Sequence, residues 1–237
     1  MNRIAPLALL ALLSLSACAT APMPVPSPIS GSASPAQLRA NQAARQFVQV
    51  VGTVEPVAER VCREKTRGLN CDFQVVVDDR VDQPPNAFQT VDSFGRPVLA
   101  FNLGLINSVH NADELAFVMG HEAAHHIRDH LTKTRESATV GAVVFAGIAA
   151  ISGAAAEDIK SAEELGAAVG ARTYSKDFEL QADQLGTVIA FDAGFDPVRG
   201  AAFFARIPDP GNRFLGSHPP NAARLDVVRR TAADLRR

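Results

Sequence analysis

Two histidines four residues apart constrain this chain more than any other feature, in the run His121-Glu122-Ala123-Ala124-His125. An α-helix turns every 3.6 residues, so positions four apart share a face. The pattern over residues 113–133 is helical, and Asn111 with Glu114 offers a start resembling a capping box. On that helix His121 and His125 can grip one cation while Glu122 stands beside it, the two-imidazole-plus-base arrangement of a zinc hydrolase. Five of the six histidines fall between His110 and His130. His126 and His130 form a second pair four apart, but no carboxylate accompanies them, so they read as residues behind the ligands or at the surface.

A catalytic zinc takes a third protein ligand and keeps one position open. A metzincin would need Gly at position 128 and His at 131, where this chain has Arg128 and Leu131. The remaining candidates are acidic. Glu179 and Asp183 lie four apart in a helical pattern over residues 176–193, so Glu179 can ligate while Asp183 orients a ligand imidazole from behind. A solvated helix face would explain such a pair were the histidines absent.

The chain has 237 residues, 47% hydrophobic and 20% charged, with a formal net charge of -2, which suits one folded globular domain. Lys plus Arg (23) nearly balance Asp plus Glu (25), and Trp is absent, so there is no basic surplus for a phosphate backbone and no nucleic-acid partner is expected.

Residues 1–17 read as a secretory signal: Arg3, then Leu7, Leu9, Leu10, Leu12 and Leu13, then small residues. The apolar run is shorter than the roughly 20 residues a membrane span needs. Leu15-Ser16-Ala17-Cys18 resembles the lipobox of bacterial lipoproteins, which makes Cys18 the expected lipidation site. Ala19 follows where an Asp would favour inner-membrane retention, so an outer-membrane anchor facing the periplasm is expected. Residues 18–35 are rich in Pro, Ser and Ala and read as a tether, and residues 36–237 as the folded domain. With Cys18 assigned to lipid, Cys62 and Cys71 remain as a pair in an oxidising compartment, and a disulfide is expected; two free thiols are the alternative.

Helical spacing recurs over residues 36–65, 159–168, 197–207 and 219–235, and short apolar runs at 73–77 and 97–101 read as strands. A small sheet among many helices makes the fold α+β. The uncharged run over residues 137–156 draws its apolar weight mainly from Ala and Gly. A membrane span there would put the histidines and Glu179 on opposite sides. It reads as a buried or loosely packed helix, or as an apolar surface that meets a membrane or partner.

Beyond the His-Glu pattern, Asn86-Ala87-Phe88, Gly104-Leu105, the stretch Ser175-Lys176-Asp177-Phe178-Glu179-Leu180-Gln181-Ala182-Asp183, and Ser217-His218-Pro219 together resemble the HtpX-like gluzincin metallopeptidases. These are relatives of the prenyl-protein endoprotease, and the closest likeness is to their periplasmic lipoprotein branch. Lys176 stands where the family often has Arg, and Gln181 where it often has a second acid. The resemblance implies a mostly helical zincin-type domain with a small β-sheet beside the zinc-binding helix. It implies one Zn2+ per chain held by His121, His125 and Glu179, with Glu122 as general base and His218 assisting the transition state. His218 resting on the zinc until substrate displaces it would make the site latent. Arg224 matches a family arginine and reads as part of a structural ion pair.

The resemblance also implies that residues 96–102, just before the zinc helix, are the sheet edge on which an extended substrate would lie; the Ala-rich helices near 140–168 are a candidate gate. The expected function is zinc-dependent endopeptidase action on unfolded or misassembled envelope proteins. The alternative is a chaperone or assembly factor that holds clients on the same fold. Protein substrates and a lipid anchor are the expected partners, and an outer-membrane assembly machinery is a candidate third.

Overall fold

The computed structural model describes residues 34–208 and 219–237. The signal segment, Cys18 and His218 lie outside the described residues.

Ser34 caps the first helix, α1 (Pro35–Lys65), in a full capping box with Gln37, and Pro35 takes the first-turn position where a missing N–H costs nothing. Phe47, Val50, Val54, Ala58 and Val61 recur at three- and four-residue steps along α1 and form its buried face. A disulfide joins Cys62 at the end of α1 to Cys71, with Cα atoms 5.7 Å apart.

Three strands follow: β1 (Gln74–Asp78), β2 (Ala87–Val91) and β3 (Pro97–Asn102), in the order β1-β3-β2. β3 pairs in parallel with β1 and antiparallel with β2. Residues 96–102 are therefore not the sheet edge. Their near-continuous apolar run, with Leu99, Ala100 and Phe101 buried, is the signature of a central strand covered on both faces. The edge beside the site is β2. Asp92 and Gly95 turn the chain from β2 into β3, with Gly95 at φ 79°, a left-handed conformation that a side chain would strain.

Asn102 ends β3 and caps α2 (Leu103–Ser108) by accepting the Leu105 N–H; its side chain also accepts from Asn86 N–H and donates to the Pro84 carbonyl. One residue thus pins the strand, the helix and the loop before β2. Asn111 then caps α3 (Ala112–Ile127), which is buried nearly all round, as a central core helix must be.

α3 ends at Arg128. Asp129 is left-handed (φ 56°), and α4 (His130–Ile151) starts in a new direction. α5 (Ala156–Thr173) returns antiparallel to α4, and the two pack chiefly on each other. α6 (Ser175–Asp192) then re-enters the core across α3, and α7 (Pro197–Ala201), a short 3-10 turn and α8 (Asn221–Leu235) close the site from the far side.

Of the two readings of residues 137–156, a buried helix is excluded and an apolar surface fits. Val140, Val143, Val144, Ile148 and Ile151 are exposed, and α4 is, among the described residues, the helix long and apolar enough to cross a membrane. The base of the α4–α5 hairpin, at Leu131, Thr134 and Ala171, lines the cleft.

Candidate metal centre

His121 and His125 project from α3 and Glu179 from the second turn of α6, and their ligand atoms all lie within 4.8 Å of one another. The approach is close because α3 and α6 cross at two glycines. A Cβ on Gly186 would come within 2.9 Å of the His121 backbone, and one on Gly120 within 2.8 Å of the Gly186 carbonyl. Any side chain at either position would push the third ligand away from the other two.

His121 Nε2 lies 3.0 Å from His125 Nε2, 3.5 Å from one Glu179 oxygen, and His125 Nε2 lies 3.3 Å from the other. Ligands about 2.1 Å from a tetrahedral zinc would stand about 3.4 Å apart, so the spacing fits. Hydrogen bonding behind the rings fits too. His121 Nδ1 donates to Asp183 Oδ1 at 2.9 Å, which leaves its Nε2 lone pair aimed into the site.

Asp183 is fully buried, and Arg224 from α8 holds it through two hydrogen bonds of 2.7 Å. The same guanidinium lies 3.4 Å from Glu179 and 3.7 Å above the Phe204 ring. Burial opposes charge on Asp183, but Arg224 and His121 outweigh it and hold the carboxyl below its usual range. Arg224 is thus the expected ion-pair partner, and it also contacts a candidate ligand.

Burial also works against protonating His121, yet hydrogen bonds to Asp183 and Glu179 push its pKa up to about 10. On the protein's own charges alone, the site favours a positive charge between its donors. Glu122 lines the same cleft, half-buried, and desolvation raises its carboxyl above the ordinary value, in the direction that suits a proton acceptor.

The cleft has a volume of about 800 Å³. Pro84 to Gln89, which include the first half of β2, form one wall; Phe178, Phe203, Phe204 and Ile207 make others largely apolar. β2 was not anticipated as a strand: Ala87-Phe88-Gln89-Thr90-Val91 has a polar centre, with its two large apolar residues, Phe88 and Val91, on either side of it.

His130 lies behind a ligand, whereas His126 does not. His126 Nε2 bonds the Asn70 carbonyl at 2.7 Å, tying α3 to the disulfide-closed loop. His130 Nδ1 lies 3.0 Å from His125 Nδ1, and its Nε2 lies 3.3 Å from Gln181 Oε1. On an unbroken helix, residues 125 and 130 would point about 140° apart. The turn at Asp129 brings them together, which spacing cannot show.

Residues 48–232 match the family model described as Peptidase family M48. The chain belongs to peptidase family M48. An M48 member is a metallopeptidase, and the cluster of His121, His125 and Glu179 gives this one three side chains able to hold the metal. A protein of Vibrio cholerae serotype O1 named "Putative beta-barrel assembly-enhancing protease" is 31% identical over 149 residues. That match covers 59% of this chain and 29% of the relative, so the chain spans less than a third of the relative's length.

Proposed function

We propose that this M48 peptidase is a zinc-dependent endopeptidase that cleaves unfolded or misassembled proteins of the bacterial cell envelope. The observation that carries the reading is one cleft in which three convergent ligand atoms, Glu122 and an open sheet edge stand together.

His121, His125 and Glu179 are the residues that would hold zinc, two imidazoles and a carboxylate being its usual catalytic donor set. Zinc, when bound, lowers the pKa of a bound water toward about 7 and polarises a carbonyl. Glu122 takes the proton from the attacking water at its carboxylate and returns it to the departing amine. Asp183 keeps the His121 proton on Nδ1, and Arg224 keeps Asp183 ionised and in place. His218 is proposed as a donor to the developing oxyanion.

β2 pairs, among the described residues, with β3 alone, and it lines the cleft. An extended peptide added to that edge would be held by main-chain hydrogen bonds, which tolerate many sequences. The apolar walls would receive the side chains that folded proteins hide. Together these favour unfolded chains as substrates.

The envelope location is supported by the lipobox-like Leu15-Ser16-Ala17-Cys18 and by the name of the Vibrio relative. An outer-membrane anchor at Cys18, with the domain in the periplasm and an outer-membrane assembly machinery as partner, completes the proposal.

Mass spectrometry of casein digested by the purified full chain tests the reaction class. Internal peptides are expected, and stepwise loss of single N-terminal residues would replace the endopeptidase reading with an aminopeptidase. Fractionation of cells expressing the chain and its Cys18→Ala variant tests the address. The variant is expected to leave the outer-membrane fraction, and unchanged partition of both would contradict the anchor.

A further inference from the structure

We propose that His130, itself held by Gln181, is a positioning residue that keeps the His125 imidazole in the one tautomer able to bind the metal. The inference rests on the metal reading of the site. His125 turns its Nε2 toward His121 and Glu179, so Nε2 must present a lone pair and Nδ1 must carry the proton. That Nδ1 faces His130 Nδ1 at 3.0 Å. Two N–H groups at this distance would repel, so His130 Nδ1 accepts and the His130 proton sits on Nε2. There it meets Gln181 Oε1, an acceptor, at 3.3 Å. Three groups thus share one direction of donation: His125 to His130 to Gln181.

The ring cannot turn away from this task. His130 is 3% exposed, opens α4 directly after the left-handed Asp129, and stacks on Phe178 with centroids 4.4 Å apart and planes 12° from parallel. The two ligand histidines are therefore supported unequally. His121 donates to a carboxylate clamped by Arg224, whereas His125 donates to a neutral ring backed by a neutral amide. Gln181 carries no charge. An uncharged acceptor there supports the acceptor form of His130 without adding another negative charge beside Glu179.

The test compares the full chain with His130→Phe, His130→Asn and Gln181→Leu. Phe keeps the ring, its volume and its stacking on Phe178 but cannot accept; Asn places an acceptor oxygen near the position of Nδ1. Zinc affinity is measured by chelator competition, the metal-free fold by its thermal midpoint, and the His125 Nδ1 proton by nitrogen-15 NMR.

His130→Phe is expected to bind zinc about 10–100-fold more weakly with an unchanged metal-free midpoint. His130→Asn is expected to recover most of that loss, and Gln181→Leu to show a smaller drop together with a weakened His125 N–H resonance. Zinc affinity in His130→Phe equal to the parent would overturn the inference, as would His130→Asn binding as weakly as His130→Phe. Should His130→Phe not fold, Gln181→Leu decides: parental affinity with a parental His125 resonance would overturn it. A parent chain that bound no zinc would overturn the metal reading itself and this inference with it.

Discussion

The crossing of α3 with α6 and the hairpin of α4 with α5 use the same packing device to different ends. Both bring helix backbones together at glycines: Gly120 with Gly186 in the core, and Gly141 with Gly166 and Gly170 in the hairpin. Around the first pair, Leu115, Phe117, Met119, Leu185 and Ile189 are buried, so the close approach fixes a rigid site. Around the second, Val140, Val143, Val144, Ile148 and Ile151 stay exposed. Glycine contact sets how near two helices come. What surrounds the contact decides whether it supports chemistry or leaves a surface.

Substituting corresponding glycines in the two crossings should have the largest and most unequal effects. Gly186→Val would drive a side chain into the His121 backbone, and it should destabilise the chain by about 3 kcal/mol or more and abolish metal binding. Gly141→Val would meet the Gly166 carbonyl still more closely, but it should spread the hairpin and leave metal stoichiometry unchanged. Thermal unfolding and metal content measure both; equal metal loss in the two variants would show that the hairpin is part of the site.

A smaller effect concerns an ion pair of the core. Glu114 accepts two 2.5 Å hydrogen bonds from Arg206 and one of 2.8 Å from His110 N–H. Burial would raise its pKa, but these partners hold it below the ordinary 4.5. A lowered folded pKa contributes stability above the unfolded value, and that contribution is lost as pH falls through the folded one. Glu114→Gln should therefore cost about 2 kcal/mol at pH 7 in urea unfolding, and the gap should narrow as pH drops below about 4.5. A gap independent of pH would show that packing, not charge, makes the contribution.

The smallest effect belongs to the exposed stripe. Replacing Val140, Val144 and Ile148 together with Ser should shift stability by no more than about 0.5 kcal/mol per site, because those side chains are not buried. A large loss on thermal unfolding would mean the stripe is covered in solution.

Legibility in the sequence follows the same division. Periodicity over residues 113–133 located the helix bearing His121 and His125, and four-residue spacing singled out Glu179 and Asp183, because both signals depend on local helix geometry. The α+β class followed from the same patterns. The turn at Asp129 was not legible, since a residue of ordinary polarity adopts a left-handed conformation there, and the meeting of His125 with His130 depends on it. β3 was taken for an edge on the resemblance alone, and β2, the antiparallel strand that makes it central, has too polar a centre to read as a strand. An Ala- and Gly-rich helix reads alike whether it is covered or bare, so the exposure of α4 emerged only with the packing.

In the proposed reaction Glu122 moves the proton while His121, His125 and Glu179 hold the metal. The direct measurement is zinc content and casein cleavage for the full chain and its Glu122→Gln variant. One zinc is expected in each, with a rate reduced by roughly 10²–10⁴-fold in the variant alone. Equal cleavage by both would contradict that role for Glu122.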